Sequence, residues 1–192
     1  MRFMILTLLF AVVLITDVEA TSNLKAVDNL NEAVTTIDAN VVFMRHALAP
    51  GFGDPDDFDL TLCRSQRNLS GAGQAQAKKI GVAIRKSIVN FKEVISSEWC
   101  RCKDTTALLN LGKWQTFEGL NSFFQDYADK TLTLGVLQKK LDSIESGFTL
   151  MVTHQVVINA ITKNVVRSGE LVAYNSKTKE SLVFSLDDGH FN

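Results

Sequence analysis

Two histidines and two arginines lie where strand-like segments of the sequence end. The apolar run of residues 41–44 leads directly into Arg45 and His46. Arg101 comes shortly after a second such segment, and His154 directly follows a third. Because ligands bind beyond the carboxyl ends of parallel strands, these four side chains are expected to meet at one site.

These residue types suit the transfer of a phosphoryl group. Two guanidinium groups can hold a phosphate through paired hydrogen bonds, and they stay charged at every accessible pH. Beside them the protonated form of a histidine is disfavoured, so a neutral imidazole nitrogen is available to attack phosphorus. A second histidine can carry a proton and bind a phosphoryl oxygen as charge builds up in the transition state. The arginines supply the positive charge, so no metal or other cofactor is required.

Strands and helices are predicted to alternate along the chain, which indicates a mostly parallel sheet with helices on both faces. The central strands are predicted at residues 41–44, 92–97 and 148–153. Spacing of apolar residues and helix caps predict helices over residues 23–34, 70–87, 100–112, 134–146 and 156–164. Residues 49–59 contain both prolines and form a predicted loop. Further strands are predicted at residues 114–118, 170–175 and 181–187, the last two as a hairpin. The expected fold class is a three-layer α/β/α sandwich.

Several motifs resemble those of the histidine phosphatase superfamily, also called the phosphoglycerate mutase-like group. The segment FMRHA is similar to the family's Arg-His-Gly motif, with Ala47 in place of the glycine. SSEWCRCKDTTALL is similar to the second motif, MVTHQ to the segment with the second histidine, and LSGAGQAQAKKIG to the first helix. The resemblance extends from about residue 41 to residue 164. It implies a phosphoglycerate mutase-like fold and phosphatase activity.

The resemblance also implies roles for individual residues. His46 would be the nucleophile that becomes phosphohistidine, and water would then hydrolyse that intermediate. Arg45 and Arg101 would hold the phosphate, with His154 as the second histidine of the pocket. Arg67 could join the pocket or bind substrate, or it could be a solvated or salt-bridged surface residue.

These motifs do not identify the general acid. Many members of the family have a carboxylate between the second and third motifs, which favours Glu118. Asp54 is a rival, because its loop directly follows the nucleophile. Acid phosphatase relatives often carry an aspartate directly after the second histidine. Gln155 occupies that position here, and an amide cannot act as an acid.

The first twenty residues have the features of a secretory signal peptide, which leaves residues 21–192 as a single domain. Arg2 precedes an apolar stretch over residues 3–15, and small residues precede a cleavage site after Ala20. An uncleaved membrane anchor is the alternative, although the apolar stretch is short for spanning a bilayer. No later segment is apolar enough for stable membrane insertion. The predicted location is therefore secreted or periplasmic.

Export would place the three cysteines in an oxidising compartment, where a disulfide can persist. Cys100 and Cys102 are too close in sequence to bridge easily, so Cys63 is expected to pair with one of them. One thiol then remains free. The formal net charge of −1 and the lack of a Lys/Arg block give no indication of a nucleic-acid partner.

The sequence thus predicts an exported phosphomonoesterase that hydrolyses a phosphorylated small molecule or glycan through phosphohistidine. Only about fifty residues separate Arg101 from His154, which leaves little room for a covering domain and predicts an open pocket. One alternative is a phosphate- or phospho-ligand-binding protein that has lost turnover, because the acid is unassigned and Ala47 replaces a glycine. A mutase is a third option, against which export argues.

Overall fold

The computed structural model of the chain describes residues 30–186. The predicted leader, residues 1–20, and the first part of the predicted helix over residues 23–34 lie outside the described residues. The helices are α1 (Leu30–Thr36), α2 (Gly71–Lys86), α3 (Cys100–Leu109), α4 (Lys130–Asp142) and α5 (Gln155–Thr162). The strands are β1 (Val41–Arg45), β2 (Phe91–Ser96), β3 (Gln115–Thr116), β4 (Phe148–Thr153), β5 (Leu171–Tyr174) and β6 (Ser181–Phe184). Within residues 30–186, no helix combines the length and apolarity needed to cross a membrane.

All six strands belong to one sheet, in the order β3-β2-β4-β1-β5-β6. The first four strands of the chain are parallel to one another, whereas β5 is antiparallel to β1 and β6 is antiparallel to β5. The predicted mostly parallel sheet with a terminal hairpin is therefore confirmed. Because β2, β4 and β1 are neighbours, their carboxyl ends lie side by side at one edge of the sheet.

Side chains of the sheet alternate between two separate apolar cores. Val42 and Met44 of β1 pack with apolar residues of α1, α2 and α3 on one face. Val41 and Phe43 point to the opposite face and pack with residues of α4 and α5. This alternation is the normal consequence of the two-residue period of a strand. Helices thus cover both faces, which confirms the three-layer arrangement.

Helix α2 holds the backbone that follows β1. Its predicted cap is present, because the Ser70 hydroxyl accepts a hydrogen bond from the N–H of Gly73 at 3.1 Å. A Cβ atom at residue 73 would overlap the carbonyl group of Leu48, so only glycine permits this approach. Gln76 then accepts a hydrogen bond from the N–H of Leu48 at 2.9 Å. The helix therefore fixes the chain two residues after His46.

Some predicted boundaries differ from the structure. Helix α4 begins at Lys130 rather than at residue 134, because the Asp129 carboxylate caps it by accepting a hydrogen bond from the N–H of Leu132 at 2.8 Å. Helix α3 ends at Leu109, before Gly112, since Asn110 adopts the left-handed conformation that terminates it. Strand β3 has two residues instead of the predicted five, and both are exposed at the edge of the sheet.

A disulfide joins Cys63 to Cys100, and Cys102 remains a buried free thiol. This is one of the two pairings that the sequence left open. The bridge connects the turn at Cys63–Ser65 to the first residue of α3, next to Arg101.

Replacement of both Cys63 and Cys100 by serine is expected to lower the free energy of unfolding by about 4 kcal/mol. The bridge restricts the unfolded chain over a sequence separation of 37 residues, and that restriction is lost in the variant. Urea denaturation of the oxidised proteins measures the difference. A thiol reductant should destabilise the wild type and leave the double variant unchanged; equal stability of the two oxidised proteins would contradict the expectation.

Candidate active site

The carboxyl ends of β1, β2 and β4 bring the candidate site residues together. Arg45, His46, Arg101 and His154 line one pocket of about 220 Å³, and Arg67 lines it with them. The two imidazole rings lie 5.5 Å apart, measured between their centroids. Both histidines and Arg101 are buried. The structure therefore places in one pocket the four groups that the sequence puts at strand ends.

Local hydrogen bonds fix the orientation of His46. Its Nδ1 lies 2.8 Å from the carbonyl oxygen of Ala47. Since a carbonyl can only accept, Nδ1 carries the proton and Nε2 keeps its lone pair. The N–H of Ala47 donates to Oγ1 of Thr105 at 3.0 Å. Ala47 is not among the residues with positive φ, so alanine fits without backbone strain where the related motif has glycine.

A buried chain of hydrogen bonds determines the tautomer of His154. Its Nδ1 lies 3.4 Å from Nη2 of Arg101, which can only donate, so Nδ1 is the acceptor. Its Nε2 therefore carries the proton, which it donates to Oγ of Ser97 at 2.9 Å. Ser97 in turn donates to Oδ1 of Asn121 at 3.1 Å, and the Asn121 amide donates to Glu98 at 2.6 Å. The chain of contacts leaves the lone pair of Nδ1 facing Arg101.

Burial and nearby positive charge keep both histidines neutral. Burial lowers the pKa of His46 well below its ordinary value of 6.5, and the charges of Arg101 and Arg45 lower it further. Burial also lowers the pKa of His154 well below 6.5, with contributions from Arg101 and His46. An imidazole is nucleophilic in its neutral form, and the lowered pKa keeps His46 in that form at mildly acidic pH.

The same pKa shifts make stability depend on pH. Below pH 6.5 the unfolded chain binds protons at both histidines and the folded chain does not, so stability falls as the pH falls. Between pH 7.0 and 5.5 the expected loss in the free energy of unfolding is about 1 kcal/mol for each of His46 and His154. Asp54 contributes nothing in this window, because its lowered pKa lies below it.

Denaturant unfolding at pH 7.0 and 5.5 measures this dependence. A His154→Gln variant should show about half of the wild-type change, because one of the two buried imidazoles is gone. Stability that stays constant across the interval would show that the folded protein protonates these histidines as readily as the unfolded chain.

Asp54 lies in the pocket as the buried partner of Arg101. Arg101 Nη1 is 2.7 Å from Oδ1 of Asp54, and Nη2 is 3.1 Å from Oδ2. The Trp99 indole and the N–H of Arg67 also donate to this carboxylate, at 3.1 and 3.0 Å. Burial raises the pKa of Asp54, but these donors and the charge of Arg101 outweigh burial and leave the pKa below its ordinary value. The carboxylate is therefore ionised at neutral pH and has no proton to donate.

Within residues 30–186, two buried arginine N–H groups have no hydrogen-bond partner. Besides its bonds to Asp54, Arg101 donates to the carbonyl of Arg67 at 3.3 Å, whereas its buried Nε has no hydrogen-bond partner among residues 30–186. Within the same residues the buried Nε of Arg45 also lacks a partner, while its Nη1 donates to the carbonyl of Val166 at 2.7 Å. Buried donors without partners are rare because they are costly. Both donors suit an anion with several acceptor oxygens.

Arg67 joins the pocket and also secures its loop. Its Nε donates to the carbonyl of Gly53 at 2.8 Å, and its Nη1 donates to the carbonyl of Ala49. Burial lowers its pKa to about 10, with a further contribution from the charge of Arg101. The side chain therefore remains positively charged at neutral pH and adds to the charge of the site.

Glu118, the favoured candidate for the acid, does not lie in this pocket. It is exposed and lines a separate surface depression together with Asp129 and Leu132. The physical reason is topological, because Glu118 follows β3 at the sheet edge, and β2 and β4 separate that strand from β1. Ser122, which comes shortly after it, does line the pocket.

Several supporting residues were not found from the sequence. Gln155 stands where acid phosphatase relatives often carry an aspartate, and its Oε1 accepts a hydrogen bond from the N–H of Val166 at 2.8 Å. That bond holds the segment whose carbonyl binds Arg45. Ser97 belongs to the segment that resembles the family's second motif, but the sequence alone does not show its contact with His154. Asn121, which accepts a hydrogen bond from Ser97, has no sequence signature. The described chain contains no group of three or more His, Cys, Asp or Glu side chains that could hold a metal ion.

Searches for similar proteins find structural neighbours. The protein histidine phosphatase SixA, solved in complex with tungstate, has a TM-score of 0.52 and 16% sequence identity, covering 74% of this chain and 92% of its own. TTHB049 from Thermus thermophilus has a TM-score of 0.56 and 14% identity, covering 76% of this chain and 99% of its own. These likenesses confirm the expected fold. A scan against protein-family models finds no match, and a search of curated proteins finds none either.

Proposed function

Because the chain has the fold of the histidine phosphatase superfamily, we propose that it is a phosphatase in which His46 accepts the phosphoryl group. One observation carries the proposal: a neutral imidazole with the proton on Nδ1 lines an open pocket together with two arginines. Within residues 30–186, the buried Nε of each arginine lacks a hydrogen-bond partner. The imidazole is a nucleophile, and the arginines can bind phosphoryl oxygens.

The reaction has two steps. In the first, Nε2 of His46 attacks phosphorus, a P–N bond forms, and the bond to the leaving group breaks with its electron pair going to the leaving group. In the second, water attacks phosphorus, a P–O bond forms and the P–N pair returns to Nε2. The leaving group takes one proton from solvent in the first step, and the attacking water returns one proton to solvent in the second. Arg45 and Arg101 stabilise the phosphoryl oxygens in both steps.

The bond that breaks is expected to have a weakly basic leaving group. Among the described residues of the pocket, Asp54 is the one carboxyl-bearing side chain, and Arg101 keeps it ionised. A strongly basic leaving group needs a proton from an acid, which this pocket does not supply. Aryl and acyl phosphates should therefore react faster than alkyl phosphates.

The finer proposal is an exported enzyme acting on a phosphorylated small molecule or glycan. The pocket lies between residues 51–54 and 122–124, and no separate domain covers it within residues 30–186. This openness supports access by a soluble phosphate ester. The Cys63–Cys100 disulfide supports a secreted or periplasmic location, because disulfides persist in oxidising compartments.

Protein-bound phosphohistidine is a second candidate substrate. The SixA neighbour is named as a protein histidine phosphatase, and cleavage of a P–N bond makes little use of a carboxylic acid. A peptide carrying chemically prepared phosphohistidine would distinguish this substrate from small esters. The rates of phosphate release from the peptide and from a small phosphate ester are compared at equal substrate concentration.

Hydrolysis of p-nitrophenyl phosphate by the purified protein tests the proposed function. We expect release of nitrophenol and phosphate in equal amounts, dependent on His46. The alternative is a phospho-ligand-binding protein without turnover. It would show phosphate binding by calorimetry and a hydrolysis rate no greater than that of a His46→Ala variant.

A further inference from the structure

Two phenylalanines lie together at the rim of the pocket. Phe52 is 87% exposed and Phe124 is 36% exposed, and both line the pocket that contains the arginines and histidines. Their ring centroids are 5.2 Å apart and their planes are nearly perpendicular, at 89°. Isolated exposed apolar residues are common, but a paired aromatic surface beside a charged pocket is informative.

The backbone on both sides holds this pair in place. Gly51 and Gly53 flank Phe52 with φ values of 99° and 68°, a region that favours glycine. A Cβ atom at residue 53 would overlap the side chain of Gln125, and that side chain accepts a hydrogen bond from the N–H of Asp54 at 3.2 Å. Gln125 adopts a left-handed conformation, with φ 59°. A hydrogen bond thus joins two loops that are distant in sequence beside the phenylalanines.

The same loop ties the rim to the phosphate-binding groups. Asp54, two residues after Phe52, forms the two-pronged ion pair with Arg101. Arg101 and His46 are buried, whereas Phe52 is largely in solvent, so the phenylalanines lie at the open end of the pocket. A phosphate ester bound through Arg45 and Arg101 would direct its leaving group towards them.

We propose that Phe52 and Phe124 select substrates whose leaving group carries a planar aromatic ring. The inference rests on the proposed function and narrows its substrate class. An aromatic ring gains both apolar contact and favourable stacked or edge-to-face geometry with phenylalanine. An alkyl or sugar group of similar size lacks the second contribution.

Binding of phosphonates tests this selection without turnover, because their P–C bond is not hydrolysed. By calorimetry, the wild type should bind phenylphosphonate about fivefold more tightly than cyclohexylphosphonate, whose ring is of similar size but is not planar. The double variant Phe52→Ala/Phe124→Ala should lose this preference and keep its affinity for methylphosphonate. Leu132→Ala, which removes another exposed apolar side chain away from the pocket, is the matched control and should keep the preference.

A preference that is absent in the wild type, or that survives in the double variant, would overturn the inference. Hydrolysis distinguishes that failure from failure of the proposed function. If the protein turns over p-nitrophenyl phosphate and acetyl phosphate, both with weakly basic leaving groups, the double variant should raise KM for the aryl substrate alone. The variant Phe52→Trp/Phe124→Ala, which keeps one aromatic ring at the rim, should restore a low KM for the aryl substrate. If the protein hydrolyses neither substrate, the proposed phosphatase function is refuted, and the phosphonate binding result alone decides the inference.

Discussion

Replacement of His46 by alanine is expected to lower kcat for p-nitrophenyl phosphate by about a thousandfold or more. In the proposed reaction the imidazole supplies the nucleophile, and within residues 30–186 the pocket holds no second group placed to replace it. His154 uses its Nε2 proton to bind Ser97 and its Nδ1 to bind Arg101. The buried Cys102 thiol is unreactive, because burial raises its pKa to about 12.

Steady-state kinetics of wild type and variant measure this loss. The variant should still bind methylphosphonate within a few-fold of the wild-type affinity, since Arg45 and Arg101 remain. That binding shows that the pocket is folded and separates lost chemistry from lost structure. A variant that keeps a tenth of the wild-type kcat would show that His46 is not the nucleophile.

Replacement of Arg101 by leucine should lower both stability and activity. The change leaves the Asp54 carboxylate buried without its counter-ion, which is expected to reduce the free energy of unfolding by about 3 to 5 kcal/mol. In the proposed mechanism it also removes a donor to the phosphoryl group, which is expected to lower kcat/KM at least about a hundredfold. Denaturant unfolding and steady-state kinetics report the two effects separately.

A double variant tests the physical reason. Asp54→Leu/Arg101→Leu removes both charges and should recover most of the lost stability, because an apolar pair of similar volume can replace a buried ion pair. It should recover none of the activity. The Lys140–Glu93 pair is a matched control, since it has a similar contact of 2.7 Å but is partly exposed. Lys140→Leu should cost about 1 kcal/mol or less, and an equal cost for Arg101→Leu would contradict the account.

The sequence predicted well those features that depend on local patterns and on the geometry of parallel sheets. Apolar runs and helix caps located the central strands and α2, and the ends of three parallel strands identified where Arg45, His46, Arg101 and His154 would meet. That inference needed only the rule that such ends share one edge. No contact between distant side chains had to be known.

Features that depend on contacts between distant side chains could not be predicted in the same way. The ion pair of Asp54 with Arg101 crosses 47 residues of sequence, and it turns a candidate acid into an ionised carboxylate. Glu118 had suitable chemistry and sequence position, yet the edge location of β3 keeps it out of the pocket. The contact of Gln125 with the loop around Gly53 likewise has no sequence signature.

Trapping of the phosphorylated enzyme tests most directly whether Nε2 of His46 takes the phosphoryl group. The protein would be mixed with phosphorus-32-labelled p-nitrophenyl phosphate, quenched in alkali within one turnover and digested into peptides. We predict a label that is stable in alkali and lost in acid, confined to the peptide containing His46 and absent from the His46→Ala variant. Turnover without such a label, or a label on any other residue, would contradict the account.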